Sequence, residues 1–213
     1  SNLYLRNKNL SLNNESKITF DPFFEIESKT EIEDFNFENF KNLEIEKILV
    51  FKNVLKKINF KNELIIAPKK FRFNQLENFN LKTDLAYGRI NYSKNFITSN
   101  ISLSCNGSVN LLEEYPLLLF DCNIYSKSKK IFFKKFDLKI NNESDVFNLK
   151  AKGNLNLLNK KMNIKKILFN KNYEATKEDL SYFNKTFENI IFDESFLGIF
   201  NFKKIKNFIK ELS

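Results

Sequence analysis

Few side chains in this sequence could carry out chemistry, and carboxylates and lysines are the main ones. The 213 residues contain no histidine and only two cysteines, Cys105 and Cys122. A chain without imidazole has no histidine general base, no histidine-assisted nucleophile and no histidine-ligated metal. Two thiolates are too few for a four-cysteine zinc site. We therefore expect a protein that is not an enzyme and that uses no metal and no cofactor.

Adjacent carboxylates are the last candidates for acid–base catalysis. The chain contains Glu113-Glu114 and Asp193-Glu194, but neighbouring side chains on a strand point to opposite faces. Nothing in the sequence around either pair indicates a pocket or a raised pKa. We interpret both pairs as turn and surface residues. The chain has four glycines and lacks both the dinucleotide-binding and the phosphate-loop motifs, which leaves little room for a phosphate site.

The formal net charge of +9 is unevenly distributed along the chain. From Asp21 to Glu46 there are nine acidic residues and two lysines, a net charge of −7, so the rest of the chain carries +16. Arginine, which nucleic-acid recognition favours, occurs only at positions 6, 72 and 89. The lysines mostly alternate with apolar residues, a pattern typical of a solvated surface. We expect no nucleic-acid partner, and a basic binder of nucleic acid or of an anionic surface is the weaker alternative.

Strict alternation of apolar and polar residues is the strongest structural signal. It runs over Asn100–Leu111 and again over Phe147–Leu157, and a period of two predicts strands with one dry and one wet face. The two segments share the form L-x-[AC]-x-G-x-[VL]-N-L-L, and Ala86–Tyr92 is a weaker third copy. The copies align three of the four glycines, Gly88, Gly107 and Gly153. Repeated strand units indicate a sheet built by stacking.

A predicted turn sets the register of the two strands around it. A tight turn at Glu113-Glu114 places Phe120 opposite Gly107, where the ring would fill the space beside the glycine. The same register places Cys105 opposite Cys122, at a separation near the short end for a disulfide. Two interpretations stay open. The pair forms a cross-strand disulfide in an oxidising compartment, or it consists of two buried thiols.

The remaining elements are predicted from weaker patterns. A second hairpin is expected to set Leu155 opposite Ile164 and Ala151 opposite Leu168. Further strands are predicted at Lys17–Glu27, Glu31–Phe37 and Asn62–Ala67. Amphipathic helices are predicted at 46–59, at 177–192 with Thr176 as N-cap, and at 202–212, with a short helix around 128–135.

These elements predict a mainly β fold with peripheral helices, of the α+β class. We expect an elongated, curved antiparallel sheet with repeated strand units and C-terminal helices. Three segments are expected. Residues 1–78 hold the N-terminal strands and the helix at 46–59, residues 79–171 form the repeat-containing meander, and residues 172–213 form a C-terminal helical cap.

One face of the predicted sheet is apolar and must be covered. It could be covered by the amphipathic helices, or it could form a groove that holds acyl chains. The residues that would line such a groove are Ile101, Leu103, Val109, Leu111, Leu118, Phe120, Ile124, Phe147, Leu149, Leu155, Leu157, Met162 and Ile164.

The repeat and the C-terminal residues also carry a family resemblance. The G-x-[VL]-N-L-L strand, followed by a turn and an alternating strand, resembles the repeat of AsmA-like and TamB-like envelope proteins. The residues from Asn172 to Asp193 and the end Phe200-Asn-Phe-Lys-Lys-Ile205 resemble the C-terminal portion of AsmA-like proteins of the alphaproteobacterial type. By pattern, the resemblance extends from Phe79 onward.

The resemblance implies a non-enzymatic periplasmic protein that is anchored in the inner membrane by a part of the parent chain not present here. It implies that a hydrophobic β-groove binds phospholipid acyl chains for transport between the inner and outer membranes and for outer-membrane biogenesis. The alternative is a structural or protein-interaction domain of the cell envelope, with a fully capped sheet and no lipid ligand. Burial of Ile101, Val109 and Leu155 by protein would favour this alternative.

Overall fold

The computed structural model describes residues 1–6, 10–21, 24–35, 50–66, 78–98, 100–134, 136–138, 146–170, 172–192 and 202–211. These residues contain eleven strands and four helices. The strands are β1 (Asn2–Arg6), β2 (Leu10–Thr19), β3 (Glu25–Phe35), β4 (Asn59–Ile66), β5 (Asn78–Ala86), β6 (Arg89–Thr98), β7 (Ile101–Asn110), β8 (Leu117–Ser126), β9 (Phe147–Asn156), β10 (Met162–Phe169) and β11 (Tyr173–Glu174). The helices are α1 (Lys52–Leu55), α2 (Lys129–Lys134), α3 (Lys177–Ile191) and α4 (Phe202–Glu211).

The strands follow one another in the sheet in the order of the chain. The predicted mainly β fold with C-terminal helices is confirmed. One pair departs from the antiparallel expectation, since β3 and β4 are parallel. Parallel neighbours need a long crossover, and the chain between Phe35 and Asn59 provides its length. The other pairings whose register the structure gives are antiparallel.

The helix predicted at 46–59 is confirmed only over Lys52–Leu55 in the described residues. Residues 46–49 lie outside the described part of the chain. Beyond them the helix is limited to α1 (Lys52–Leu55), and β4 begins at Asn59. From Asn59 and Phe60 onward the chain pairs with β3 and β5, so the end of the predicted helix is a strand.

The chain divides into two compact units. The first comprises Ser1–Ser99 and Leu103–Pro116, and the second comprises Asn100–Ser102 and Leu117–Ser213. The first unit holds β1 to β6 and most of β7, whereas β8 to β11 and helices α2 to α4 belong to the second.

In the first unit, one sheet face carries two apolar rows that cross five strands. One row is Leu12, Ile32, Ile66, Phe79 and Phe96, and the other is Ile18, Ile26, Phe60, Leu85 and Ile90. Between them lie two further rows: a polar row of Ser16, Ser28, Asn62, Thr83 and Tyr92, and a mixed row of Asn14, Thr30, Leu64, Leu81 and Lys94. The Asn62 amide oxygen accepts a 2.7 Å hydrogen bond from the Ser28 hydroxyl, so the polar side chains between the apolar rows bond to one another.

In the second unit, aromatic side chains form the core. Phe132 and Phe136 pack with Ile101 and Phe147 in a buried cluster. Phe132 stacks on Phe147 with ring centroids 4.0 Å apart and an interplanar angle of 13°. Offset or stacked aromatic pairs add to the free energy of burial, so this contact attaches the residues just after β8 to the start of β9.

The third copy of the repeat is wrong as a strand unit, because Gly88 lies in a turn. Tyr87 (φ 49°) and Gly88 (φ 76°) are the two residues between β5 and β6. Positive φ at both positions is typical of a two-residue hairpin turn, which favours glycine. The Gly88 carbonyl accepts a 2.9 Å hydrogen bond from Leu111 N. Gly153, by contrast, lies inside β9.

The asparagine of the repeat has the same role in both remaining copies. Asn110 Oδ1 accepts a hydrogen bond from Leu112 N at 3.2 Å. Asn156 Oδ1 accepts one from Leu158 N at 3.0 Å. Each is an Asx turn, in which the side chain replaces a backbone acceptor two residues before the donor. The asparagine that the two copies share therefore ends each strand in the same way.

The predicted register of the second hairpin is wrong by two residues at its start. Leu155 lies opposite Met162 rather than Ile164, because β9 ends at Asn156 and the turn begins one residue earlier than predicted. A bulge between Ile164 and Lys166 then shifts the pairing. Ala151 consequently lies opposite Ile167 and not opposite Leu168.

Candidate functional site

None of the thirteen residues predicted to line a groove is exposed. Six are buried, with exposed fractions between 4% and 8%: Ile101, Val109, Leu111, Phe147, Leu155 and Leu157. The other seven are half-buried: Leu103, Leu118, Phe120, Ile124, Leu149, Met162 and Ile164.

Helices α2 and α4 cover the part of the second unit's apolar face that surrounds Phe147. The α2 residues Phe132 and Phe133 contact Phe147, one stacked and the other edge-on with centroids 5.7 Å apart. Ile205 and Ile209 of α4 pack against the same cluster. The side chains that an acyl chain would contact here are thus occupied by the protein itself.

An ion pair links α4 to the residues that follow α2. Lys206 of α4 pairs with Asp137, which lies just after α2. The hydrogen bond and the charge of Lys206 hold the pKa of the Asp137 carboxyl below its usual range. Phe208 of α4 also meets Phe187 of α3 edge-on, with centroids 5.2 Å apart. The covering helices are therefore connected to each other as well as to the sheet.

Helix α3 begins with the capping residue predicted from the sequence. Asp179 N donates to Thr176 Oγ1 at 3.2 Å, and the Asp179 carboxylate accepts from Thr176 N at 2.9 Å. These reciprocal bonds form a capping box. The Tyr173 hydroxyl donates a 2.6 Å hydrogen bond to the same carboxylate. Chiefly through this bond, the pKa of Asp179 is lowered.

The polar face of the first unit carries alternating charges. The register places Glu15, Lys29, Glu63 and Lys82 in one row across β2 to β5, and Lys17, Glu27, Lys61 and Asp84 in the next row on the same face. We call these the charge rows. They contribute to the lining of a cavity of about 720 Å³ that crosses β1 to β6.

The charge rows favour ionised side chains, which is unlike a catalytic acid–base pair. A hydrogen bond from Asn80, followed by the hydrogen bond and the charge of Lys82, lowers the pKa of Glu63. The hydrogen bond and charge of Glu25, 2.6 Å from Lys61 Nζ, raise the pKa of that lysine. A carboxylic acid that donates a proton near neutral pH needs a raised pKa. Within these rows, Lys61 pairs with Glu25 and Glu27 of the acidic stretch.

Lys94 is a residue that the sequence reading missed. It lies opposite Leu81, on the face that carries the apolar rows. Burial lowers its pKa, and its Nζ lies 5.6 Å from the centre of the Phe79 ring. The signal was present in the alternation, because Lys94 has the same parity as Ile90 and Phe96 on β6.

Both cysteines are oxidised. Cys105 and Cys122 are each disulfide-bonded, and neither is a free thiol. Of the two interpretations left open by the sequence, the structure has the disulfide-bonded state. Disulfides persist chiefly in oxidising compartments.

In the parts of the chain that the structure describes, no group of three or more acidic or sulfur ligands is placed to hold a metal ion. Among the same residues, no helix combines the length and the apolar composition needed to cross a membrane. Comparison with known proteins found no matching family model, no similar curated protein and no similar solved structure. The resemblance to AsmA-like proteins therefore stays a prediction.

Proposed function

We propose that this chain is a non-enzymatic structural or protein-interaction domain of the cell envelope, with the apolar face of its second unit capped by its own helices. One observation carries the proposal. Phe132 stacks on Phe147, and Ile205 and Ile209 complete the same cluster. Ile101, one of the residues whose burial discriminates between the two hypotheses, is 8% exposed in that cluster.

A lipid that displaced these helices would lose much of the free energy that it gains by binding. Burying a Phe or Ile side chain contributes about 1.5–3 kcal/mol. Phe132, Phe136 and the inward residues of α4 already provide this contribution. An acyl chain that replaced them would first expose their surface to water, so the net gain would be small.

The charged residues support a role without catalysis. In the first unit, carboxylates and lysines lie opposite each other in the charge rows. Their pKa shifts, where resolved, favour the ionised forms. Such a surface suits contact with another protein through paired charges, which mainly determine specificity and association rate.

The envelope location rests on the cysteines and on the resemblance. The disulfide-bonded state of both residues favours an oxidising compartment, and the periplasm is one. Attachment to the inner membrane, through a part of the parent chain, follows from the resemblance to AsmA-like proteins.

Phospholipid binding is the second candidate, and the first unit supports it. Its apolar rows contain many half-buried residues, and Ile18 is 51% exposed. Phe20, just beyond β2, is 76% exposed. Exposed apolar surface of this kind marks sites that contact proteins or lipids. Acyl chains along these rows would agree with the lipid-transport role that the resemblance implies.

Photo-crosslinking with lipid distinguishes the two candidates. The chain is mixed with phosphatidylglycerol vesicles that contain a diazirine on one acyl chain, irradiated and digested, and the adducts are located by mass spectrometry. We expect no adduct on Ile101, Phe147 or Leu155. Adducts on those residues would overturn the capped face. Adducts confined to the apolar rows of the first unit would favour the phospholipid candidate over the interaction domain, and no adduct at all would support the interaction domain.

A further inference from the structure

Two segments of the first unit expose large apolar side chains outside the strands. Phe20, which follows β2, is 76% exposed. Val50, Phe51 and Val54, in and just before α1, are 79%, 60% and 51% exposed. We call these four residues the tip patch. Exposed apolar side chains are ordinary when they are scattered singly, but a group of them marks a surface that contacts a partner.

The strand pairing brings the two segments to the same end of the sheet. β2 and β3 are antiparallel and Thr19 lies opposite Glu25, so Phe20 begins the turn at that end. β3 and β4 are parallel, and Glu25 also lies opposite Asn59. α1 ends at Leu55, four residues before Asn59, and four residues span at most about 14 Å. The tip patch therefore lies at one end of strands β2 to β4.

Turns and one ring contact attach the tip patch to the sheet. Val54 N donates to the Phe51 carbonyl at 2.9 Å, and Lys57 N donates to the Val54 carbonyl at 2.9 Å. The Phe20 ring meets the Phe24 ring with centroids 5.6 Å apart and an interplanar angle of 47°. Phe24 is half-buried, so this contact supports one side of the Phe20 ring while most of that ring stays in solvent.

The charge of the two segments is positive. Residues 50–57 contain three lysines and no acidic residue. Residues 17–21 contain one lysine and one aspartate, which balance, so the two segments carry a net charge of +3. Lys56 and Lys57 are exposed and directly follow α1. A positive field beside exposed apolar side chains favours a partner that is both anionic and apolar.

The residue types favour a lipid bilayer over a protein as that partner. Protein interfaces are depleted of lysine and enriched in tyrosine, tryptophan and arginine. The two segments contain four lysines and none of those three enriched types. Phenylalanine and aliphatic side chains next to lysines are typical of segments that lie on an anionic bilayer surface. The long lysine side chains can reach the headgroups while the apolar side chains go deeper.

We propose that the tip patch docks the first unit on an anionic lipid bilayer. Its four apolar side chains enter the boundary between headgroups and acyl chains, and Lys56 and Lys57 contact anionic headgroups. The tip patch is separate from the apolar rows and from the capped face of the second unit. This inference therefore does not rest on the proposed function.

A tryptophan reporter tests contact at the patch itself. The chain contains no tryptophan, so Phe51→Trp introduces a single indole at an exposed position. When vesicles of phosphatidylglycerol and phosphatidylcholine are added, its emission should shift to shorter wavelength, because the indole leaves water. The matched control is Ile97→Trp, at a position that is 42% exposed and lies toward the end of β6 remote from the tip patch. Its emission should not shift.

Two serine substitutions measure the apolar contribution. Phe20→Ser/Phe51→Ser should lower the affinity for the same vesicles about tenfold or more, because burial of one phenylalanine alone contributes about a tenfold change. The control Ile97→Ser/Leu119→Ser removes apolar side chains that are 42% and 46% exposed elsewhere and should leave the affinity unchanged. Affinity is measured by co-sedimentation with vesicles, and folding is checked by circular dichroism.

Two charge reversals measure the contribution of the lysines. Lys56→Glu/Lys57→Glu should lower the affinity about tenfold or more, because each lysine near an anionic surface adds to binding. Lys150→Glu/Lys185→Glu makes the same change in net charge at exposed positions of the second unit and should have a much smaller effect. Added salt, or vesicles of phosphatidylcholine alone, should weaken binding of the parent chain.

The outcomes that contradict the proposal are distinct. If the parent chain does not sediment with phosphatidylglycerol vesicles, the bilayer is overturned as the partner in favour of a protein. Sedimentation without an emission shift in Phe51→Trp, or with an equal shift in Ile97→Trp, would overturn the tip patch as the contact. These tryptophan variants keep the proposal testable if a serine or glutamate variant does not fold.

The same assay separates docking from the phospholipid candidate. Docking carries the chain down with the vesicles, whereas phospholipid held along the apolar rows would stay with the chain in solution. A sedimented chain with an emission shift confined to Phe51→Trp supports the tip patch, whatever the apolar rows bind.

Discussion

Replacing Gly153 with alanine tests how closely β9 and β10 approach each other. A Cβ atom at this position would meet the Asn163 carbonyl oxygen, Ile164 Cα at 2.8 Å and Phe120 Cζ at 2.9 Å. Overpacking a core position typically costs about 1–3 kcal/mol. Two of the three atoms belong to the backbone of β10 and have no rotamer through which to move aside. We therefore expect a destabilisation at the upper end, about 3 kcal/mol.

Thermal and urea unfolding followed by circular dichroism measure this effect. For a chain of this size, each kcal/mol lowers the melting temperature by about 2–4 °C, so Gly153→Ala should lower it by about 6–12 °C. Phe120 lies opposite Gly153 and provides the control. In Gly153→Ala/Phe120→Leu the contact with the ring is relieved but the two backbone contacts remain, so the coupling energy of the double-mutant cycle should be about 1 kcal/mol, well below the full loss. A melting temperature within about 2 °C of the parent chain, or a coupling to Phe120 that accounts for the whole loss, would refute the reasoning.

Three further predictions concern a turn, the core and a helix cap. Gly88→Ala puts a side chain at φ 76° and within 2.6 Å of Leu112 Cδ2, so urea unfolding should show that the free energy of unfolding falls by about 1–3 kcal/mol. The double variant G88A/L112A should relieve the clash but keep the backbone strain. Phe132→Ala removes the ring at the centre of the buried cluster, and we expect a loss of about 3–5 kcal/mol by the same assay. The pKa of Asp179 is lowered chiefly by its hydrogen bond from Tyr173, so its stabilisation is present above the unfolded pKa of about 3.9 and is lost as pH falls through the lower folded pKa. The difference in urea midpoint between the parent chain and Asp179→Asn should therefore shrink as pH is lowered from about 6 to about 2, and a constant difference would contradict this assignment.

Local patterns in the sequence predicted the elements that depend on local chemistry. Thr176 and the acidic first turn predicted the start of α3, and the structure has the helix at Lys177–Ile191. The alternation over Phe147–Leu157 predicted β9 and its buried face. In both cases the signal lies within a few residues of the element it describes.

Contacts between distant segments were not predicted. Period-two alternation shows which residues share a face, but it does not show that β3 and β4 are parallel. The alignment of Gly88 with Gly153 followed the letters of the sequence, while a positive φ in a turn explains Gly88. The covering of Phe147 by Phe132 depends on where α2 packs, which its own sequence pattern does not specify.

The charge rows of the first unit have a consequence for how its strands find their alignment. A slip of two residues keeps every side chain on its own face, so burial of the apolar rows opposes such an error less strongly. In one direction, that slip sets Lys17 opposite Lys29 where β2 meets β3. Corresponding slips set Lys29 opposite Lys61 and Glu63 opposite Asp84 at the next two pairings, and like charges directly opposite are destabilising. The charges therefore distinguish the native alignment of four strands from its nearest same-face alternatives, and added salt should weaken that distinction during folding.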